Sequence, residues 1–229
     1  MLEMMATRHR LGLRALTAAL LLAGCGGQAP SAAGASPHPS PTASVSSASL
    51  LAYTARGTDL GAGWTDTPTA SGTDLTIDNR GHPCHQPYPS DSLRQAKNDV
   101  TILNPSDPSE VADDVVYYRD HGAEQALKDI RRAVDGCSSY TQVNSEGGTI
   151  LIDVHLSEAS SSSLGDERIA VDYRLTLGNR TIYAVEFSVR FGEYVTNVHT
   201  VSGDPAKAGR LAGLAAAASA TRLKSAPSA

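Results

Sequence analysis

Residues 167–201 read ERIAVDYRLTLGNRTIYAVEFSVRFGEYVTNVHTV. Apolar side chains recur at every second position through three successive runs. In the first, Ile169, Val171, Tyr173, Leu175 and Leu177 alternate with Asp172, Arg174 and Thr176. Gly178-Asn179 then supplies a turn, since both residue types tolerate the positive φ that tight hairpins require. In the second run Tyr183, Val185, Phe187, Val189 and Phe191 repeat the pattern. Gly192-Glu193 turns the chain again into YVTNVHTV at 194–201. A period of two over three connected runs predicts an antiparallel meander with one buried face.

Upstream, TILIDVHL (149–156) alternates in the same way, and SEASSSSLGD (157–166) is a solvated loop. DVTIL (99–103) and VADDVVYYR (111–119) read as two further strands around the turn NPSDPSE, and 73–77 as a possible one. HGAEQALKDIRRAVDG (121–136) changes period. Ala123, Ala126, Leu127, Ile130, Ala133 and Val134 follow three-four spacing, with Asp120 as the expected cap and Gly136 as the stop. Downstream, Asp204-Pro205 opens a final Ala-rich helix whose Leu211, Leu214, Ala215 and Ala218 can face the sheet. Residues 48–55 form a short helix, ended by the glycines of GTDLGAGW (57–64). Trp64 in that turn reads as a core anchor or as a ligand platform. The expected class is α+β: a twisted antiparallel sheet with helices packed on one face, over residues 47–225.

The front of the chain has a different character. Arg8, Arg10 and Arg14 precede the apolar run Leu16–Ala23, too short to span a bilayer, and Leu22-Ala23-Gly24-Cys25 matches a lipobox. Residues 1–24 therefore read as a lipoprotein signal peptide, with Cys25 lipidated through its thiol and cleavage just before it. Residues 25–46, rich in Pro, Ser and Ala, read as a tether that holds the domain ~25 Å from the membrane as a flexible coil. The chain has 19 basic and 24 acidic residues. Losing Arg8, Arg10, Arg14 and Glu3 leaves 16 against 23, a net charge of −7. An acidic domain of this kind is a poor partner for nucleic acid or an anionic lipid surface.

Lipidation of Cys25 leaves Cys84 and Cys137, an even pair in an oxidising compartment. A bridge between them would contribute about 4 kcal/mol by loop-closure entropy. The rival for Cys84 is a metal site with its neighbours His82 and His85, although Cys137 brings no adjacent ligand.

The chain carries no nucleophile elbow, phosphate loop or zinc-protease motif, and no cofactor is implied. Paired carboxylates occur at Asp113-Asp114 and Asp166-Glu167.

Several motifs in order carry a resemblance over nearly all of 47–225. They are LGAGWT (60–65), a cysteine in a Pro-rich loop, AEQALKDIRRAVDGC (123–137), LGDERIAVDYRL (164–175), AVEFSVRFGEYV (184–195) and the Ala-rich terminal helix. Together they resemble the extracytoplasmic sensor domain of the actinobacterial receptor Ser/Thr kinase H type, in its free lipoprotein form. The resemblance implies an antiparallel sheet with helices on one side, a cleft between them and a small or polymeric ligand. The kinase form carries two disulfides, whereas this chain has one cysteine pair and no kinase domain or transmembrane helix.

The expected function is a non-catalytic binding module, lipid-anchored on the extracytoplasmic face of the cell membrane, taking a cell-envelope ligand or a protein partner. Asp172, Arg174, Glu186 and Arg190 are candidate ligand residues because they alternate outward on neighbouring strands; a cross-strand charge ladder is the other reading. The alternative function is an envelope hydrolase working through Asp113, Asp114 or Asp166. A lipid carrier is a third, disfavoured by the few aromatics and the absence of Met after Cys25.

Overall fold

The computed structural model describes residues 45–70, 72–75, 82–157 and 164–226. The signal segment, Cys25, the tether up to residue 44 and the serine run at 158–163 lie outside them.

Eight strands form one sheet in the order β1-β2-β3-β8-β7-β6-β5-β4, every neighbouring pair antiparallel. They are β1 (Thr65–Pro68), β2 (Arg94–Asn104), β3 (Asp107–Tyr118), β4 (Ser139–Val143), β5 (Thr149–Leu156), β6 (Glu167–Leu177), β7 (Arg180–Phe191) and β8 (Tyr194–Ser202). Two meanders, β1–β3 and β4–β8, are stitched together where β3 pairs with β8. Among the described residues four α-helices accompany them: α1 (Ser47–Leu50), α2 (Gly57–Leu60), α3 (Gly122–Asp135) and α4 (Pro205–Leu223). The α+β class, the antiparallel sheet and the single disulfide are as the sequence predicts. Cys84 is bonded to Cys137 with their Cα atoms 6.0 Å apart.

The expected distribution of helices is not what forms. Leu177 pairs with Arg180 across the Gly178-Asn179 turn, and Phe191 with Tyr194 across the next. A two-residue turn pairs an odd position with an even one. Odd residues of β6 therefore share a face with even residues of β7, and the two apolar stripes point to opposite sides. Val185, Phe187 and Val189 of β7 pack with Val111 and Val198 against Ala208, Leu211, Ala212, Ala215 and Ala216 of α4. Val116, Tyr118 and Val195 pack against Ala123, Ala126 and Leu127 of α3 on the other face. The sheet is thus buried on both faces, with one long helix on each, rather than on one. Full burial of a side chain such as Leu127 (0% exposed) stabilises by about 1.5–3 kcal/mol.

Neither helix covers its whole face. α4 lies over β7, β8 and β3, and α3 chiefly over β5, β6 and β7. A quadrant of the sheet stays uncovered on each side, at opposite ends. On the α4 face the open quadrant is β4–β6, where Leu151 is 43% exposed. On the α3 face it is the β2–β3 end, where Leu103 is 45% exposed.

Local signals explain the helix ends. The Asp204 side chain accepts from the backbone N–H of Ala206 and Lys207, and Pro205 follows at the first helical position. Asp120 does not cap α3. Asp120 and His121 both take left-handed backbone (φ 52° and 61°), and His121 precedes the helix with no side-chain cap bond. Gly122 follows because a Cβ there would meet Leu93 and Tyr118 at 2.8–3.0 Å. The first strand falls at Thr65–Pro68 and not at 73–77: residues 73–75 form no strand, and 76–77 lie outside the described residues. β4 has a single aliphatic side chain, Val143, and no apolar alternation that a sequence reading could use.

Candidate functional site

A belt of polar side chains runs straight across the strands on the α3 face, from the open β2–β3 end to β7, where Ser188 and Glu186 are buried. Register alone places Asp99 of β2, Asp114 of β3, Asn197 of β8 and Ser188 of β7 in one row, each directly opposite the next. The next row holds Thr101, Ala112, His199 and Glu186. The side chains are linked. Lys97 Nζ donates to Asp99 Oδ2 (3.0 Å), and Asn197 Nδ2 to Asp114 Oδ2 (3.2 Å). Ser188 Oγ lies 2.8 Å from Asn197 Oδ1 and 3.4 Å from Glu186 Oε1. Tyr173 Oη donates to Glu186 Oε2 (2.8 Å), and His199 Nδ1 lies 4.0 Å from the same oxygen.

This belt concentrates negative charge: three carboxylates face one lysine and one histidine. Burial disfavours the Lys97 ammonium, but Asp114 and Asp99 outweigh it and hold its pKa above the ordinary lysine value. Burial, then the Glu186 charge and the hydrogen bond to it, keep the Tyr173 phenol protonated far above its usual range. Tyr140 is pushed up to about 12 by burial and by Glu186. Tyr88 is raised by burial first, with Glu186, Asp91 and Asp129 adding to it. Glu186, only 8% exposed, is therefore a nearly buried carboxylate within electrostatic reach of three neutral phenols. The row offers a ligand hydrogen-bond acceptors, an amide, an imidazole and phenolic hydroxyls on a rigid floor.

Tyr88 belongs to a strap, His82–Leu93, that edges this floor. Gln86 lies beside Gly136, Ser90 beside Asp129 and Leu93 beside Gly122, so the strap runs antiparallel along the flank of α3. The disulfide ties it to the end of that helix. The His82 and Tyr88 rings stack at 3.7 Å, and His85 meets Tyr140 edge-on at 5.3 Å.

The sequence-predicted ligand residues do not come together. Asp172 and Arg174 lie on the α4 face, where Arg174 pairs with Asp153 (2.8 Å) and Asp172 lies 3.6 Å from His155. Glu186 and Arg190 lie on the α3 face, because Val171, not Asp172, is opposite Glu186. Arg190 turns to Asp166 (3.4 Å) and Glu167 (3.8 Å). Trp64 packs against the α4-side core. Glu186 alone of the five reaches the polar belt. The acidic residues of the hydrolase reading diverge as well. Asp113 is fully buried under α4, accepting from the backbone N–H of Ala55 (2.6 Å), from Thr196 Oγ1 (2.7 Å) and from Ser219 Oγ. Burial pushes its carboxyl up to about 6 against the opposing pull of those donors. Asp114 points to the other face, and Asp166 accepts from the Gly192 N–H (2.7 Å).

Asp99, Asn197, Ser188, His199 and Tyr173 were missed as site residues. For all but Asp99 the signal was present in the turns: once Gly178-Asn179 and Gly192-Glu193 are read as two-residue loops, odd-even pairing puts Tyr173, Ser188, Asn197 and His199 on one face, while Asp99 joins only through the long-range β3–β8 pairing. Deciding which face stays open needs the helices in place.

No protein-family model matches the sequence, and no curated protein matches it. Solved structures do. The extracellular domain of PknH from Mycobacterium tuberculosis aligns with a TM-score of 0.52 at 14% identity, covering 77% of this chain and 97% of that one. The fold is similar to that of the PknH extracellular domain. The Rv0999 ortholog from Mycobacterium smegmatis aligns at a TM-score of 0.41 and 14% identity, covering 74% of this chain and 99% of that one. Among the described residues no helix is long and apolar enough to cross a membrane.

Proposed function

We propose that this chain is a lipid-anchored, non-catalytic binding module on the extracytoplasmic face of the membrane, and that it holds a cell-envelope ligand on the uncovered polar belt. One observation carries the reading. Four adjacent strands, β2, β3, β8 and β7, carry hydrogen-bonding side chains in register, and those of β2, β3 and β8 (Asp99, Asp114, Asn197 and His199) are part-exposed beyond the reach of α3. Sheet faces in domains of this size are ordinarily covered by apolar packing. A linked polar row whose β2–β8 end is left uncovered suits recognition better than stability. The likeness in fold to an extracellular domain agrees with the lipobox at Cys25, and Cys84–Cys137 suits an oxidising compartment. The separation of Asp113, Asp114 and Asp166 onto different partners favours binding over the hydrolase reading.

Native mass spectrometry of the chain after incubation with envelope extract tests the binding. A retained species that is lost in both Asp114→Ala and Glu186→Gln supports the belt as its site. Retention unchanged in both variants overturns it. Palmitate labelling tests the anchor: labelling that persists in Cys25→Ala removes the lipoprotein reading.

A further inference from the structure

The two halves of the strap are held in different ways. The far half, Pro89–Leu93, is tied to its surroundings at many points. Ser90 N–H donates to the buried Asp129 carboxylate (2.9 Å), and Arg94 bridges Asp91 (2.7 Å). Arg119 N–H donates to the Leu93 carbonyl (3.0 Å), and Leu93 packs with Val116, Tyr118 and Ala123. The near half, His82–Tyr88, is bonded mostly within itself: its described links outward are the Asp91 N–H donating to the Tyr88 carbonyl (3.0 Å) at the junction of the two halves, Cys84 Sγ 3.9 Å from the Ser139 carbonyl, and the His85 ring edge-on to Tyr140. His82 Nδ1 bonds the Gln86 carbonyl (2.8 Å), His85 N–H the His82 carbonyl and Gln86 N–H the Pro83 carbonyl. The stacked His82 and Tyr88 rings close the same small unit on itself. Its covalent tie is the disulfide, and two consecutive non-glycine residues beside that tie, Cys84 and His85, hold left-handed backbone (φ 50° and 55°). Such backbone persists where the surroundings impose it. Glu186, meanwhile, is nearly closed off from solvent.

We propose that the Cys84–Cys137 disulfide is a latch, which holds the lightly tied His82–Tyr88 unit against the Glu186–Tyr173 end of the belt and, when reduced by a dithiol, lets that unit swing away and expose Glu186. That exposing Glu186 admits a ligand rests on the belt being the ligand site. The chemistry is thiol–disulfide exchange. A thiolate of the dithiol attacks the half-buried Cys84 sulfur, and the S–S bond breaks. Cys137, 3% exposed, leaves as a thiolate and takes up a proton. The second thiol of the reductant then displaces Cys84 as a thiol, so that two electrons pass to the protein and the reductant leaves as its own disulfide. The loosened backbone at Cys84 and His85 relaxes out of the left-handed region. The far half stays on α3 through Asp129 and Leu93, and the hinge falls between Tyr88 and Ser90.

The test uses the full chain with Cys25→Ser, which leaves Cys84 and Cys137 as its only cysteines. Hydrogen exchange is read after a short pulse of about ten seconds, where local opening dominates, with and without dithiothreitol. Reduction should speed exchange over 82–88 by about tenfold or more and leave 89–93 and 205–223 as they were. Cys84→Ser/Cys137→Ser should show the same pattern without reductant. Unchanged exchange at 82–88 overturns the latch. So does loosening of 82–88 and 205–223 together, which marks the bridge as a staple of the whole domain. If the strap opens as described but an envelope species binds the oxidised and reduced chains equally, the latch stands and Glu186 drops out of the ligand site.

Discussion

Asp113 and Asp114 are joined by one peptide bond, yet Asp113 is fully buried beneath α4 while Asp114 lies part-exposed on the opposite face of β3, in the open belt. Strand geometry causes the divergence, since successive side chains point to opposite faces. The consequences are chemical. Asp113 gathers three donors from three separate elements: the segment between α1 and α2, β8 and α4. It welds the N-terminal segment and the last helix to the sheet. Asp114 accepts from Asn197 across one strand pair and keeps the rest of its capacity on the uncovered side. The same residue type stabilises where a helix covers the sheet and is available for recognition where none does.

The largest expected effect is on the covered side. Asp113→Ala strands three buried donors and should cost about 3 kcal/mol or more, a fall in Tm of roughly 6–12 °C by thermal denaturation. A loss of similar size from Asp114→Ala would abolish the distinction between the faces.

The pH dependence should differ as well. The Asp113 pKa is raised in the fold, to about 6 from an ordinary 3.8, so the native state holds this proton more tightly than the unfolded chain. Its contribution favours folding below pH 4 and is lost as pH rises through 6. Wild type should therefore lose roughly 2–3 kcal/mol relative to Asp113→Asn between pH 4 and pH 7, read from paired urea titrations. A difference that is flat, or that grows in favour of wild type with rising pH, contradicts a raised pKa.

On the open side the stability effects should be small. Asp114→Ala is expected to cost less than about 1.5 kcal/mol, one hydrogen bond at a part-exposed site, while abolishing retention of the envelope species in native mass spectrometry. Smallest is the second open quadrant, on the α4 face. Arg174→Ala breaks the pair with Asp153 at a side chain 60% exposed, and should change stability by less than about 1 kcal/mol. If Arg174→Ala abolishes ligand retention and Asp114→Ala does not, the binding face is the wrong one of the two.

Much of the secondary structure could be read directly. The predicted β5 (Thr149–Leu156) coincides with the observed one, as does β6 (Glu167–Leu177), and Asp204-Pro205 starts α4 as expected. These are places where period, turn chemistry and capping agree. Counting cysteines was enough to pair Cys84 with Cys137. β4 escaped because Ser139–Val143 draws its place from pairing with β5 and from the disulfide beside it, not from its own apolarity. The four charged candidates were grouped on one face for a different reason. Alternation reports that a strand has two unlike sides, but it is silent on which side its neighbour shares. Assuming that the apolar stripes of β6 and β7 coincide placed Asp172 beside Glu186. The pairing of Leu177 with Arg180 puts them on opposite faces.

Local chemistry, then, was sufficient for most of the strands, the two long helices and the cysteine pair, because each rests on residues close in the chain or on a simple count. Which polar residues stand together, and which face is left bare, depended on where α3 and α4 settle. Helix docking is a long-range event, set by apolar area from strands far apart in sequence. It covers Asp113, leaves Asp114 open, and so divides one acidic pair between holding the fold and facing the bare end of the sheet.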